Sequence, residues 1–438
     1  MGIPTKMMAK PSARCGASAP SLGAGGANIG GRGDGQEPSP RPRGLRRMAA
    51  YIRRHFGAVL VYTVACFGTA GCEADSMEIS HPTPDNIPVD GSVVDASEIP
   101  TGLARAELDA WLGARDALRR SEVAVTIGKL GEVGDDETDV FGWVADAKFD
   151  ADGNIVVLDR MAQEVRVFDI AGRFLTKFGG TGDGPGEFRD PVGLATLSGG
   201  RIVVSDRRGH LEIFAREDSG YVYAGRQPVP SDLRIREGVC HIGGRLFLSV
   251  WEQESNAVIH EVPLLSKGVA RSFGKGYGAR YPLVQRLLTD GPIGCFGDPV
   301  QIVFAFEQLP VLRSYSADSG AELWTAVVAD YMQGQIVENR GTGSVGYLSG
   351  LKDVAMAAMG VGGEHILYQT GRGERAAPDE AEIRSYLVDA ASGNGALVST
   401  SLPIVSDVTD THILGYWVTG IPRVEVRRLA PRNKAKGE

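Results

Sequence analysis

The chain has no basic excess, few cysteines and no long apolar run. Its 438 residues include 46 Lys and Arg against 54 Asp and Glu, for a net charge of −8. Nucleic-acid binders show a basic balance or a basic stripe, so that class is excluded. The acidic residues are spread along the sequence and read as a solvated surface. No Cys-x-x-Cys pair and no Gly-x-Ser-x-Gly elbow occur, which removes common redox, zinc and hydrolase signatures. Beyond Cys72 the histidines are His81, His210, His241, His260, His365 and His412. No two have a metal spacing such as i, i+2 or i, i+4, and no paired carboxylate accompanies them. No catalytic residue, metal site or cofactor is therefore expected. Calcium has no motif here, and Asp159 and Asp206, which close equivalent strands, are expected to cap turns.

What is abundant is glycine, with 59 residues. Residues 1–47 are rich in Gly, Pro, Ser and Arg and lack apolar periodicity, so they cannot order themselves by burial. The expectation is that translation starts at Met48. Arg53-Arg54, an apolar run from Phe56 to Phe67 and the small residues Thr69-Ala-Gly-Cys72 then make residues 48–71 a secretory signal. The apolar run is too short to cross a bilayer as a helix. The Thr-Ala-Gly-Cys end resembles the bacterial lipobox, which implies lipid on Cys72. Residues 72–120 read as a polar tether followed by one amphipathic helix from Leu103 to Arg120.

From Ser121 the pattern becomes one of short strands. Val123–Ile127 is a lone strand, and a repeated paragraph follows. Its most apolar strand begins at Ile155, Ile202, Leu246, Ile302, Ile366 and Ile413, at intervals of 47, 44, 56, 64 and 47 residues. A turn signal precedes each, such as Asp152-Gly-Asn or Gly243-Gly-Arg. A second strand follows about ten residues later, as in Val165–Phe168, Leu211–Phe214 and Val424–Val426. Six such units over residues 121–429 predict an all-β, six-bladed β-propeller, with 430–438 as a tail. The sixth copy lacks an outer strand, so Val123–Ile127 is expected to close the last blade. Cys240 and Cys295 fall at similar places in successive repeats and read as free thiols, a disulfide being the alternative.

The segments Asp150-Ala-Asp-Gly-Asn-Ile-Val-Val-Leu-Asp159 and Gly179-Gly-Thr-Gly-Asp-Gly-Pro-Gly-Glu-Phe188 resemble NHL-type repeats. They resemble those of bacterial six-bladed propeller lipoproteins of largely unknown function. The resemblance covers residues 141–226 best. It implies a ring-shaped binding scaffold with no activity common to all members. The expected function is a membrane-anchored binding or interaction module in the cell envelope, periplasmic or surface-side. Its partner would be a protein or small ligand on one propeller face, with no nucleic acid, and the chain a monomer. The alternative is a lactonase-like, metal-dependent hydrolase or lyase using the central channel. Two insertions, at Tyr281–Leu288 and Tyr331–Leu351, interrupt the repeat. Within them Tyr281, Arg286, Tyr331, Asn339, Arg340 and Tyr347 are the candidate contact residues.

Overall fold

The computed structural model describes residues 76–78, 92–129, 137–218, 220–230, 233, 235, 237–264, 268–279, 282–339, 344–347, 350–374 and 381–431. All belong to the unit Leu45–Glu438, one of two into which the chain divides. The described chain begins with strands β1 (Ser76–Glu78) and β2 (Ser92–Asp95), helix α1 (Arg105–Arg119) and strand β3 (Glu122–Ile127). Blade 1 is β4 (Val144–Phe149), β5 (Ile155–Asp159), β6 (Glu164–Phe168) and β7 (Phe174–Gly179). Blade 2 is β8 (Pro191–Leu197), β9 (Arg201–Asp206), β10 (His210–Glu217) and β11 (Gly220–Pro228). Blade 3 is β12 (Glu237–Ile242), β13 (Arg245–Ser249), β14 (Ala257–Val262) and β15 (Arg271–Lys275). Helix α2 (Pro282–Leu287) leads into blade 4, which is β16 (Ile293–Phe296), β17 (Gln301–Ala305), β18 (Val311–Ser316) and β19 (Glu322–Val328). A hairpin of β20 (Ile336–Asn339) and β21 (Ser344–Tyr347) precedes blade 5, made of β22 (Leu351–Val361), β23 (His365–Glu374), β24 (Glu382–Asp389) and β25 (Gly395–Ser399). Blade 6 is β26 (Ile404–Val408), β27 (His412–Trp417) and β28 (Arg423–Arg428).

Each blade is an antiparallel four-stranded meander, and the six expected landmark strands are the second strands of the six blades. Blade 6 takes its fourth strand from the other end of the fold. β3 pairs with β28, with Ile127 opposite Val424 and Val125 opposite Val426, as the sequence predicts.

The ring is held at its seams. Ile155 and Val157 pack with Leu414, Val424 and Val426 of blade 6. Their neighbours Val156 and Leu158 pack with Leu194, Ile202 and Val204 of blade 2. Successive side chains of a strand point to opposite faces. A strand buried between two neighbouring blades must therefore be apolar at every position, and this is why β5 is the most apolar run of its repeat. Gly294 allows closer approach at the seam of blades 4 and 5, since a Cβ there would lie 2.2 Å from the carbonyl oxygen of Ala358.

The stretch expected to be a free tether is instead partly woven into the sheets. β2 lies parallel to both β19 and β25, with Val94 opposite Val328 on one side and Gly395 on the other. It fills the gap between the outer edges of blades 4 and 5, and Val94 is fully buried. Two outer strands with unpaired edge groups capture a short chain segment that satisfies both. Helix α1 follows and docks through Trp111, whose Nε1 donates to the Leu387 carbonyl at 2.9 Å. Ala114 and Leu118 pack beside it at the seam of blades 5 and 6.

Candidate functional site

All six connections between blades lie on one face of the ring. Each enters an inner strand from the outer strand of the preceding blade, and the inner strands run in one direction around the axis. The two insertions are such connections, so α2 and the β20–β21 hairpin share a face. They also share a core. Val284 and Leu288 from the first and Ile336 from the second pack with Phe306 and Leu309 of blade 4. Together they form the cap of this face, both packed on the core of blade 4.

Polar contacts hold the cap at both ends. Asn256, in a loop of blade 3, accepts from Trp251 Nε1 and Gln285 Nε2 at 3.0 Å each and donates to the Gly276 carbonyl at 2.7 Å. At the other end Asp353 is gripped twice by Arg372, at 2.9 and 2.6 Å, and accepts the Met332 amide at 2.7 Å. Asp330 pairs with Arg384 at 2.5 Å and accepts from the Tyr386 hydroxyl at 3.1 Å.

The expected contact residues fare differently. Arg286 lies in the last turn of α2 and is half-buried. Tyr331 is a core residue, buried with its hydroxyl donating to the Glu307 carbonyl at 2.8 Å, so it supports the cap from below and offers no contact surface. Asn339 lies at the turn end of the hairpin, opposite Ser344, and Tyr347 at its base, opposite Ile336. Tyr281, Arg340 and Cys72 lie outside the described residues.

The sequence reading did not anticipate a polar cluster on the inner strands. Lys148 Nζ lies 3.4 Å from Asp146 and contacts the Ser406 carbonyl. Asp146 accepts the Leu194 amide of blade 2, and Asp407 of blade 6 accepts the Phe149 amide, each at 2.8 Å. Burial pushes both carboxyls above the ordinary range, against the pull of Lys148 and the backbone amides. Burial works against the Lys148 ammonium, but Asp146 and Asp407 prevail and raise its pKa. Cys240 and Cys295 come from neighbouring inner strands and are free, with their thiols in contact. Burial, then that contact, push the Cys240 thiol well above its usual value, which makes it a poor nucleophile at neutral pH. The cluster is suited to joining blades. The alternation Ala145-Asp146-Ala147-Lys148 is its mark in the sequence, on the first strand of the blade and outside the apolar second strand that defines the repeat.

Asp159 and Asp206 cap turns as expected. Asp159 accepts the amides of Gly142, Trp143, Met161 and Ala162 at 2.8 to 3.1 Å. Asp206 accepts those of Arg189, Asp190 and Arg208 at 2.8 to 3.0 Å. Each thereby ties the end of a second strand to the connector entering its own blade. In the glycine-rich connector Phe188 is fully buried, and Glu187 accepts the Gly184 amide at 2.8 Å. Among the described residues no group of three or more His, Cys, Asp or Glu side chains is arranged to hold a metal ion.

No curated protein matches the sequence. A member of the DUF4221 family from Bacteroides vulgatus is similar in structure at TM-score 0.47 and 10% identity, covering 71% of this chain and 97% of that one. Virginiamycin B lyase from Staphylococcus aureus is similar at TM-score 0.41 and 10% identity, covering 71% and 100%. The family model described as a 6-bladed beta-propeller matches residues 146–207, from the inner strand of blade 1 to the turn after the second strand of blade 2.

Proposed function

We propose that this chain is an exported, lipid-anchored binding propeller that takes a protein or small ligand on its capped face. The observation that carries the reading is the shared core of the two insertions, in which Val284, Leu288 and Ile336 build one surface over blades that otherwise repeat. Regular blades supply the scaffold, and departures from the repeat on one face are where ligands of such rings are held. The lipid sits on Cys72. Metabolic labelling with palmitate tests the anchor: the parent chain takes up label and Cys72→Ser does not. Label retained by Cys72→Ser contradicts it. For the cap, residues 338–346 are replaced by a short Gly-Ser link, which leaves Ile336 in the core. The expected outcome is a retained cooperative melt with loss of any complex that the parent chain forms in native-size separation. A complex that persists in this variant overturns the reading.

A further inference from the structure

We infer that the short anchor holds the capped face toward the bilayer that carries the lipid, so that exposed apolar side chains of the cap touch the membrane surface beside the place where the protein or small ligand is taken. The inference rests on the lipid anchor proposed above and on where the chain leaves the propeller. Only Glu73, Ala74 and Asp75 separate Cys72 from β1. That span is roughly 14 Å at full extension. β1 is the third strand of the hairpin sheet, antiparallel to β20, with Ser76 opposite Asn339 and Glu78 opposite Val337. This register places the anchor end of β1 at the turn of the hairpin, and the chain then runs back toward the hairpin's base. A lipid on Cys72 is therefore held beside the hairpin turn on the cap side, not on a long tether free to present either face.

Exposed apolar side chains occur on both faces, Ile170, Leu175 and Leu323 among those at the opposite turns, but only those of the cap lie on the side of the anchor. Leu283 on α2, Met332 at the start of the second insertion and Leu351 at the entry to blade 5 are 49%, 39% and 46% exposed, each on an element of this face. Single exposed apolar side chains are ordinary on a protein surface. Beside a short lipid anchor they are placed to enter the interface, where an acyl chain and a protein surface act as two joint signals. At the opposite end of the ring, α1 packs near the turns of blades 5 and 6, and the chain between β1 and α1 supplies β2, so this end is turned away from the anchor.

The test uses the full-length lipidated protein in membranes containing a phospholipid with a photoreactive diazirine near its headgroup. Adducts are mapped by mass spectrometry. The expected result is adduct on peptides spanning 282–288, 332–339 and 344–352, and little on the turns at 198–200, 297–300 and 317–321. The variant carrying Leu283→Glu, Met332→Glu and Leu351→Glu should keep its melting temperature and its lipid and lose at least about fivefold of the cap adduct, as expected when interfacial apolar contacts are replaced by charge. Adduct concentrated on the opposite turns, or evenly spread, overturns the inference while leaving the anchor intact. A protein without lipid on Cys72 overturns both.

Discussion

Asp146 Oδ2 accepts the amide of Leu194 at 2.8 Å across the seam between blades 1 and 2. The channel edge of an inner strand has no neighbouring strand to pair with, and here a carboxylate from the next blade supplies the missing acceptor. Asp407 does the same for Phe149 across the seam of blades 6 and 1. Lys148 stands close to both and offsets the like charges. Asp146→Ala leaves a buried amide unpaired and should cost about 2–3 kcal/mol in urea unfolding. The Asn variant should cost less, and its deficit should depend on pH. Burial holds the Asp146 carboxyl above its unfolded value of 3.8, so its contribution is complete below that value and is lost as pH rises through the folded one. The deficit of Asp146→Asn should therefore be largest in acid and shrink as pH rises. A deficit that grows toward neutrality contradicts this.

Asp159→Ala removes the acceptor of four backbone amides at a fully buried position. The expected loss is about 3–4 kcal/mol, near the upper end for one polar side chain because several donors are orphaned together. Asp152→Ala, on an exposed turn, serves as the control and should stay within about 0.5 kcal/mol. Chemical unfolding of the two variants side by side checks the contrast.

Glu261 titrates in the opposite sense to Asp146. Arg245 grips it at 2.7 and 2.9 Å and Arg271 adds a contact at 3.1 Å. The hydrogen bonds from Arg245 outweigh burial and hold its carboxyl below its ordinary value of 4.5. Its stabilisation is present above that value and lost as pH falls through the folded one. Glu261→Gln should cost about 1 kcal/mol near neutrality, discounted for partial solvent screening, and nothing in strong acid. Melting temperatures of parent and variant across the acid range should converge.

Much of this fold could be read from the residues, and what escaped has physical causes. Ile155-Val-Val-Leu158 announces itself because each position is buried in one seam or the other. The closing strand was inferred from a shortage, the sixth copy having no outer strand. The inner strand Ala145-Asp146-Ala147-Lys148 is inconspicuous because its small and charged residues stand where an apolar run would mark a strand. β2 was missed because Ser92-Val-Val-Asp95 is four residues with no copy in the repeat, and its partners are fixed only by tertiary structure. For the cap, the two insertions were recognised by their length, but their shared core was not, since Val284 and Ile336 carry no mark of proximity in the sequence.

Ring closure makes its own prediction. Deleting residues 121–128 removes the partner of β28 and bares its edge along Val424–Arg428. The variant should lose its cooperative melt or associate through that edge, as unpaired strands do. A monomer with the parent's melting temperature would show that blade 6 does not need β3.

The capped face, and not the opposite one, is proposed to make this protein's contacts with its neighbours in the cell. A photoreactive amino acid placed at Met332, on the cap, and in separate cells at Ser319, on an opposite-face turn, tests this directly. The account predicts a covalent adduct with a neighbouring molecule from position 332 and none from 319. Adducts from 319 alone, or from neither position, would contradict it.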